Sequence, residues 1–441
     1  MKKIITVIYT LSFVIGAVSA QSVYDGVKIA DKDLNGTARF VGMGGAMGAL
    51  GGDITTMGTN PAGIGIYRSN DVMTSFSYSA YGMESKYEGQ KSTIDKNRWS
   101  FDNIGVVFAT KIGNQTPLRY VNFGFNYKRS KSFYKNMSMS GMMGVVENPS
   151  NPGSPYYVSQ TNSMALQATD AERYVWDNSR QHLDFDNANR IFSDPDAGWL
   201  GALGYQGGLT ERDRIDNEPD LYVPFLPVEP SSVFNSREKG GIDQYDFNVS
   251  FNINDRVYLG LTIGAYDVDY DKYSGYDESY KRGEGYSLES YNNISGSGFD
   301  VKMGLILRPF EYSPFRIGFA VHTPTFYKLT YSTSAIVTND YRDAKTDELK
   351  RIIVDTYDYV GDMKRDYRLV TPWKYNVSLG YTVGTSLALG AEYEYEDYST
   401  MKFKYSSNDG GGDMEFENAE VKNCLKGEHT FRIGAEYNVI P

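Results

Sequence analysis

The sequence predicts an all-β fold, a transmembrane antiparallel β-barrel, on the basis of three observations. Segments of about ten residues alternate apolar with polar side chains, which is the length that a tilted membrane-spanning strand needs. Tyr, Phe and Gly are abundant, at 37, 22 and 45 residues, and this composition favours strands. Short and long connections alternate between the segments, as turns and extracellular loops do in such barrels. The length of 441 residues suits one large barrel.

The N-terminus predicts export. Lys2 and Lys3 precede an almost wholly apolar stretch, and Val18-Ser19-Ala20 supplies the small residues that a signal peptidase recognises. The apolar stretch holds about 15 residues, fewer than the roughly 20 that a transmembrane anchor needs. We therefore predict a cleaved signal peptide over residues 1–20. Because the mature chain would begin at Gln21 and not at a cysteine, no lipid anchor is predicted.

Residues 21–68 are predicted to form an N-terminal hatch inside the barrel lumen. The stretch Gly42–Tyr67 is nearly uncharged and reads GMGGAMGALGGDITTMGTNPAGIGIY. It is too rich in glycine for a strand and too apolar for a solvated linker. The four-residue glycine spacing would give a helix one smooth face, and the Asn-Pro-Ala-Gly sequence is a turn signal. The hatch residues singled out are Gly44, Gly48, Gly52, Asp53, Asn60, Pro61, Ala62 and Gly63.

The barrel domain is predicted over 69–441, with about ten strands in this sequence. In the segment from Tyr245 to Ile253, for example, apolar residues alternate with Asp, Asn and Ser. Since alternate residues point to opposite faces of a sheet, each strand has one apolar face and one polar or glycine face. The strands are expected near 71–82, 98–111, 118–130, 241–253, 256–270, 297–309, 314–331, 367–383, 386–404 and 427–439.

The alternation alone would also suit a soluble sandwich. Strand length, aromatic residues gathered at strand ends, and the alternation of short and long connections favour a membrane barrel instead. Long connections are expected at 83–97, 131–240, 271–296, 332–366 and 405–426. The segment 131–240 is predicted to be a long extracellular loop insertion. It is either an apolar surface that receives a ligand or a loop that packs over its own barrel mouth.

The C-terminus predicts a truncated chain. The last strand runs into Val439-Ile440-Pro441 and carries no terminal aromatic residue. We expect the final hairpins to be missing from this sequence.

The stretch Ala38–Tyr67 resembles the start of the FadL/TodX family of outer-membrane transporters. The resemblance is carried by the glycine-rich run, Asp53 and Asn60-Pro61-Ala62-Gly63, with weaker support from His322-Thr323-Pro324 and Glu428–Tyr437. It implies a barrel of about fourteen strands, of which about ten lie here, with the N-terminal segment as a hatch. The abundance of Tyr and Asn is similar to the Bacteroidetes branch, whose members are often labelled hemin receptors.

The resemblance implies uptake of small hydrophobic compounds, such as long-chain fatty acids, across the outer membrane of a Gram-negative bacterium. Expected partners are these hydrophobic molecules and outer-membrane lipid, with the protein acting as a monomer. A net charge of −11 argues against nucleic acid as a partner. Two alternatives remain open: a structural or adhesive barrel whose long loops bind a partner, and a hemin receptor.

The sequence predicts neither an enzyme nor a cofactor or metal site. His182, His322 and His429 are the only histidines, and none belongs to a metal-binding pair such as H-E-x-x-H. The single cysteine, Cys424, excludes an internal disulfide. His182 is the best placed axial ligand for heme, and His322 is expected to face the lumen.

The ligand-binding residues are not identified by the sequence. Glu392, Glu394 and Glu396 lie on the polar face of one strand, either as a cation site or as a lumen charge ladder opposite basic groups. A fatty-acid carboxylate needs an Arg or Lys beside an apolar pocket. The candidate ligand contacts are Met142, Phe225, Arg316 and Lys374.

Overall fold

The fold is taken from a computed structural model, which describes residues 23–146, 156–194, 196–225 and 230–439. The predicted signal peptide, 1–20, lies outside these residues, as do Ile440 and Pro441. Within the described part of the chain, none of the helices has both the length and the apolar character needed to cross a bilayer.

Antiparallel strands dominate the described residues. The helices are α1 Val23–Ala30, α2 Ala38–Gly42, α3 Gln160–Ser179, α4 Ala188–Ser193, α5 Trp199–Gln206, α6 Thr356–Val360 and α7 Glu415–Cys424, with 3-10 helices at Ile54–Gly58, Pro61–Ile66, Tyr398–Thr400 and Ser407–Asp409. The strands are β1 Asp71–Tyr87, β2 Gln90–Lys111, β3 Leu118–Ser132, β4 Lys135–Met142, β5 Val145–Val146, β6 Tyr156–Tyr157, β7 Thr210–Asp213, β8 Leu221–Pro224, β9 Ser231–Ile253, β10 Val257–Ser279, β11 Gly285–Leu307, β12 Arg316–His322, β13 Phe326–Arg342, β14 Leu349–Asp355, β15 Met363–Val370, β16 Lys374–Val383, β17 Leu387–Asp397, β18 Lys402–Tyr405 and β19 Gly427–Tyr437.

One curled antiparallel sheet organises the molecule and confirms the predicted fold class. Ten of its strands follow the order β1-β2-β3-β9-β10-β11-β12-β16-β17-β19, so each of these ten pairs with the next of them along the chain, while β4, β13, β14, β15 and β18 extend the sheet beside them. All of these pairs are antiparallel. This up-and-down order is the simplest way for consecutive hairpins to build a barrel wall.

Three predicted strands are interrupted in the structure. The predicted strand 314–331 divides into β12 and β13, and 367–383 divides into β15 and β16; each break falls at a Thr-Pro step. Proline has no N–H to give to the sheet, which accounts for both breaks. The predicted strand 386–404 is broken by the 3-10 helix Tyr398–Thr400 between β17 and β18.

Three connections predicted to be long loops, 83–97, 271–296 and 332–366, are largely strand; the third contains the end of β13, all of β14 and the start of β15. β1 and β2 continue to a two-residue turn at Glu88-Gly89, and both turn residues have positive φ. Likewise β10 and β11 remain paired from Val257↔Leu307 to Ser279↔Gly285. Positive φ at both central positions is the geometry that hairpin turns favour. The outer ends of these strands mix polar residues with the apolar ones, so their hydrophobic alternation is too weak to reveal them.

The sheet is apolar on its outer face and polar on its inner face. Exposed side chains on the outer face include Phe123, Phe247, Ile263, Phe299, Met303, Val377, Leu379 and Ile433. Buried side chains on the inner face include Asn122, Asn126, Asp246, Asn248, Lys302, Asn376, Glu392 and Glu394. A soluble sheet shows the opposite arrangement, with its apolar side chains on the buried face.

Helix α1 belongs to residues 23–40, the part of the chain ahead of the glycine-rich stretch, which is here called the lead-in. Val23, Ile29 and Ala30 are buried in a cluster rich in tyrosine, which α1 shares with the inner faces of β9–β11, β13 and β15. Lys28 Nζ reaches from the same helix to Glu238 at 3.0 Å and donates to the Tyr270 hydroxyl at 2.6 Å. The lead-in is therefore packed against the inner wall.

The helices of the 131–240 segment pack on the outer ends of strands that follow it in the chain. Met164, Phe185, Trp199 and Leu200 share an apolar cluster with Tyr286 of β11, Val337 of β13 and Val354 of β14. The segment thus has a core of its own, and α3, α4 and α5 are anchored to the sheet.

Candidate functional site: the hatch and its cavities

The stretch Gly42–Tyr67 lies against the inner face of the sheet and is almost entirely buried between Met43 and Gly65. It does not form the single helix that the glycine spacing would allow. Gly44 and Gly52 have φ of +61° and +68°, a left-handed conformation that breaks a helix and that glycine adopts without strain. Two short 3-10 helices, Ile54–Gly58 and Pro61–Ile66, give the segment its shape.

Asp53 fixes the first of these helices. Its carboxylate accepts the Thr55 N–H at 2.9 Å and the Thr37 hydroxyl proton at 2.6 Å. The side chain is fully buried, so these donors replace the water that it gives up. Asp53 therefore caps the helix and joins the hatch to the end of the lead-in.

Asn60-Pro61-Ala62 begins the second helix, so the predicted turn signal is a helix start. The Asn60 side-chain oxygen accepts the Ala62 N–H at 3.2 Å, and Pro61 occupies the first turn, where its missing N–H costs nothing. The Asn60 amide donates to the carbonyl of Gly48 at 2.8 Å and lies 3.4 Å from that of Leu305. One buried side chain thus joins two parts of the hatch to strand β11.

Polar side chains from the sheet hold the hatch by its backbone carbonyl groups. Asn122 donates to Ile64 at 2.7 Å, and Ser250 donates to Pro61 at 2.8 Å. Further contacts of this kind are Asn122 to Tyr67 at 2.9 Å, Arg316 to Leu50 at 2.6 Å, His322 Nε2 to Thr59 at 2.7 Å and Asn248 to Pro61 at 3.3 Å. Hydrogen bonds therefore join the hatch to the wall. Water molecules could form the same bonds with these groups in place of the protein partners.

A row of strand glycines, here called the glycine belt, makes room for the hatch. The belt consists of Gly260, Gly304, Gly318, Gly380, Gly390 and Gly434, on β10, β11, β12, β16, β17 and β19. A Cβ on Gly390 would lie 2.0 Å from the Ala46 carbonyl oxygen, and one on Gly304 would lie 2.1 Å from Asn60 Oδ1. Several members are direct cross-strand partners, as in Gly380↔Gly390 and Gly390↔Gly434.

A layer of paired charges lies on the inner face beside the hatch. Lys302 Nζ lies 2.7 Å from Asp300 and 3.1 Å from Asp246. Arg432 bridges Glu392 at 3.2 Å and Glu394 at 3.0 Å, while Lys374 pairs with Glu394 and Glu396. These are the stacked carboxylates of the sequence, and basic groups on neighbouring strands neutralise them. A cavity of about 330 Å³ adjoins this layer and the hatch residue Thr59.

A larger cavity, of about 850 Å³, lies between the lead-in and the inner face of β1 and β2. It is lined on one side by apolar groups: Leu34, Val41, Tyr81, Met83 and Ile94. Lys96 and Arg98 line another side, and within the described chain neither has a carboxylate partner at salt-bridge distance. Their partners are uncharged: Lys96 donates to Asn136 at 3.1 Å, Arg98 donates to Ser132 Oγ at 3.2 Å, and Arg98 lies over the Tyr134 ring at 3.5 Å.

The four candidate ligand contacts do not converge on one place. Arg316 holds the hatch at Leu50, and Lys374 belongs to the charged layer. Met142 ends β4 and is half exposed, and Phe225 follows β8 beside Tyr280, with ring centroids 5.9 Å apart.

Sequence reasoning missed Lys96 and Arg98. On β2 both residues alternate with outward-facing residues such as Trp99. Their inward orientation could therefore have been predicted if the strand had been started before residue 98. It also missed the glycine belt, because only pairing across the sheet shows that glycines so far apart form one row. The alternation had, however, predicted a polar or glycine face on each strand.

No protein-family model and no curated protein matches the chain. Among solved structures it is similar to the toluene transporter TbuX of Ralstonia pickettii, at 12% identity and a TM-score of 0.38, over 93% of this chain and 84% of that one. The toluene transporter TodX of Pseudomonas putida aligns at 10% identity and 0.38, over 92% and 81%. A FadL homologue of Pseudomonas aeruginosa aligns at 10% and 0.29, over 92% and 99%. At TM-scores this low, the likenesses carry no argument about function.

Proposed function

We propose that this protein is an outer-membrane transporter that takes up small hydrophobic compounds, such as long-chain fatty acids, into a Gram-negative cell. The observation that carries the proposal is a sheet with reversed polarity whose inner face holds a hatch by hydrogen bonds. The outer face suits lipid, and the inner face suits a wet lumen that a movable segment closes.

The outer face supports a place in the membrane. Large apolar side chains such as Phe247, Ile263 and Phe299 are each more than half exposed there. Exposed apolar surface on this scale is costly in water and marks contact with lipid or another apolar partner. The matching inner positions carry Asn, Ser, Asp and Lys, which would be expensive to place in hydrocarbon.

The hatch contacts support gating. Hydrogen bonds to Leu50, Thr59, Pro61 and Ile64 can be exchanged for bonds to water at little net cost. Glycine backbone at positions such as Gly44 and Gly52 lets the segment change shape. A rearranged hatch would open a route past the glycine belt, whether through the lumen or sideways through the wall.

The 850 Å³ cavity supports an amphiphilic ligand with an anionic head. Its volume falls within the roughly 300 to 1,000 Å³ typical of small-molecule sites. Lys96 and Arg98 offer positive charge without a carboxylate at salt-bridge distance, although Asp33 and Asp102 also line the cavity, and Leu34, Met83 and Ile94 offer apolar surface nearby. A carboxylate bound by both cations, with its hydrocarbon chain along the apolar side, uses both halves of the cavity.

The test is uptake by cells that depend on this protein, with oleate and toluene as the two probes. Replacing both cations, Lys96→Gln with Arg98→Gln, should weaken oleate uptake about tenfold or more, because charge-assisted hydrogen bonds contribute about 1.5–3 kcal/mol each. Toluene uptake should change less than twofold, since toluene has no charge. Lys111→Gln, an exposed position on the same strand, is the matched control.

Three results would contradict the proposal. Equal loss of both probes would show that the cations serve the fold and not a carboxylate. No uptake of either probe by the wild-type protein would favour a structural or adhesive barrel. A Soret band in the purified protein, without co-purifying lipid, would favour a hemin receptor.

A further inference from the structure

A cluster of metal-ligating side chains lies in the 131–240 segment, away from the hatch and its cavities. Glu172 comes from α3, His182 from the loop that follows α3, and Asp220 from the residue before β8. One ligand atom from each of the three lies within 4.8 Å of the other two. The hatch and the cavities use none of these residues.

The two carboxylates are buried. Glu172 is completely buried, and its Oε2 accepts the Leu183 N–H at 3.0 Å while Oε1 lies 2.5 Å from His182 Nδ1. Asp220 is 5% exposed, and its Oδ2 lies 3.7 Å from the same nitrogen. His182 is held by its ring against Trp176, with centroids 4.7 Å apart, so Nδ1 stays directed toward the carboxylates.

The negative charge of the two carboxylates in this cluster is only partly neutralised by arginine. Arg212 is the nearest arginine, 3.8 Å from Asp220, but it is shared with Asp186, which it also contacts. Two buried carboxylates and one shared guanidinium leave negative charge that a buried site cannot hold without a further cation.

A second, independent observation points to a ligand at this place. Tyr222 is 5% exposed, and its hydroxyl has no hydrogen-bond partner of good geometry among the described residues, although the Arg212 guanidinium lies near it. Buried hydroxyl groups without partners are rare, and a water bound to a metal ion would satisfy this one.

We propose that Glu172, His182 and Asp220 bind a divalent transition-metal ion, with Zn²⁺ the best match. One imidazole nitrogen and two carboxylate oxygens form a ligand set that Zn²⁺ takes, with a water in the fourth position. Ligand bonds of about 2.0–2.2 Å require the Glu172 and His182 atoms to separate by roughly 1 Å. Because His182 lies in a loop and is partly exposed, this shift is a small one. The ion would join α3 to the β7–β8 hairpin.

The experiment uses the purified full-length protein in detergent, freed of metal with EDTA and dialysed, with ZnCl₂ as the probe in calorimetric titration. The wild-type protein should bind one Zn²⁺ that the triple variant Glu172→Gln, His182→Gln, Asp220→Asn does not bind. Each single variant should weaken binding about tenfold or more. Asp177→Asn on the same helix and His429→Gln on β19 are the matched controls, and both should bind as the wild type does.

A second measurement tests whether the triple variant loses Zn²⁺ binding only because it is misfolded. Zn²⁺ should raise the unfolding temperature of the wild type and of both controls, and leave that of the triple variant unchanged. Equal Zn²⁺ binding by wild type and triple variant would overturn the proposal. So would a wild-type protein that binds no Zn²⁺.

Discussion

At the scale of single residues, the hatch can pack closely against the wall because the facing residues of the wall strands are glycines, which have no side chains. Each member of the glycine belt presents bare backbone to the hatch, and at Gly260, Gly304, Gly390 and Gly434 a Cβ would lie 2.0–2.3 Å from hatch atoms. Real Cβ atoms do not approach so closely, so a methyl group there must displace the hatch or the strand.

Gly304→Ala should therefore loosen the hatch. The added methyl group would lie 2.1 Å from Asn60 Oδ1, which caps the second 3-10 helix, and overpacking of this kind costs about 1–3 kcal/mol. We expect trypsin to cleave this variant faster than the wild type at Arg39 and Arg68, which lie on either side of the stretch Gly42–Tyr67.

Gly412→Ala is the matched control, because a Cβ at Gly412 would meet no heavy atom within 4 Å. Cleavage of Gly304→Ala at the wild-type rate, with unchanged heat stability, would contradict the packing of hatch against belt.

At the scale of elements, the lead-in is held by one apolar helix and by buried charge. α1 places Ile29 and Ala30 among tyrosines, and Lys32 follows it, donating to the Tyr266 hydroxyl at 3.0 Å and lying 4.0 Å from Asp300. Burial lowers the pKa of the Lys32 ammonium from 10.5 to about 8, although Asp300 raises it in part.

This pKa predicts how stability changes with pH. Below about pH 8 the folded protein carries a partly buried charge at Lys32, and between about 8 and 10.5 it releases the proton more readily than the unfolded chain. The unfolded state then binds more protons, so the contribution of Lys32 to stability rises with pH across that window. Lys32→Met should be more stable than wild type at pH 7, by at most about 3 kcal/mol, and the difference should shrink toward pH 10.5.

Denaturant unfolding in detergent at several pH values measures this difference, with the exposed Lys402→Met as the control. A stability difference between Lys32→Met and wild type that does not vary with pH would contradict a desolvated Lys32.

The elements show what hydrophobic patterning can reveal and where it stops. Strong alternation of apolar and polar residues, as in Tyr245–Ile253, predicted the sheet, its antiparallel order and its polar inner face. The outer ends of β1, β2, β10 and β11 mix polar with apolar side chains, so the alternation there was too weak to predict strands, although the hydrogen-bonded ladder continues. Pro324 and Pro372 interrupt strands that the alternation had predicted to be continuous.

The site was less readable than the fold. The Asn60-Pro61-Ala62 sequence located the hatch, but the hydrogen bonds of Asn122 and Ser250 to it depend on pairings between distant segments. The same holds for Glu172, His182 and Asp220, whose sequence spacing matches no metal-binding motif.

At the scale of the whole molecule, polarity is layered from the outside inward. An apolar outer face surrounds a polar inner face, and inside that face lie the hatch, a layer of paired charges and helix α1. Paired charges such as Lys302 with Asp246 and Asp300 suit a lumen that excludes apolar molecules unless something moves. The proposed transport therefore requires displacement of the hatch.

A reversible lock on the hatch tests this requirement most directly. Gly48 of the hatch faces Ser378 of β16, and a Cβ on Gly48 would lie 3.1 Å from that of Ser378, so the two segments need to separate by a few tenths of an ångström to reach the roughly 3.5–4.5 Å of a disulfide. In a Cys424→Ser background, which removes the exposed native thiol, the pair Gly48→Cys and Ser378→Cys should form a disulfide on oxidation.

The measurement is uptake of oleate and toluene by cells that carry this double variant, oxidised and then reduced, beside each single-cysteine variant. Hatch gating predicts that oxidation lowers uptake of both compounds to background, that reduction restores it, and that uptake by the single-cysteine variants does not change on oxidation. Uptake by the fully oxidised double variant at the rate of its reduced form would contradict the account.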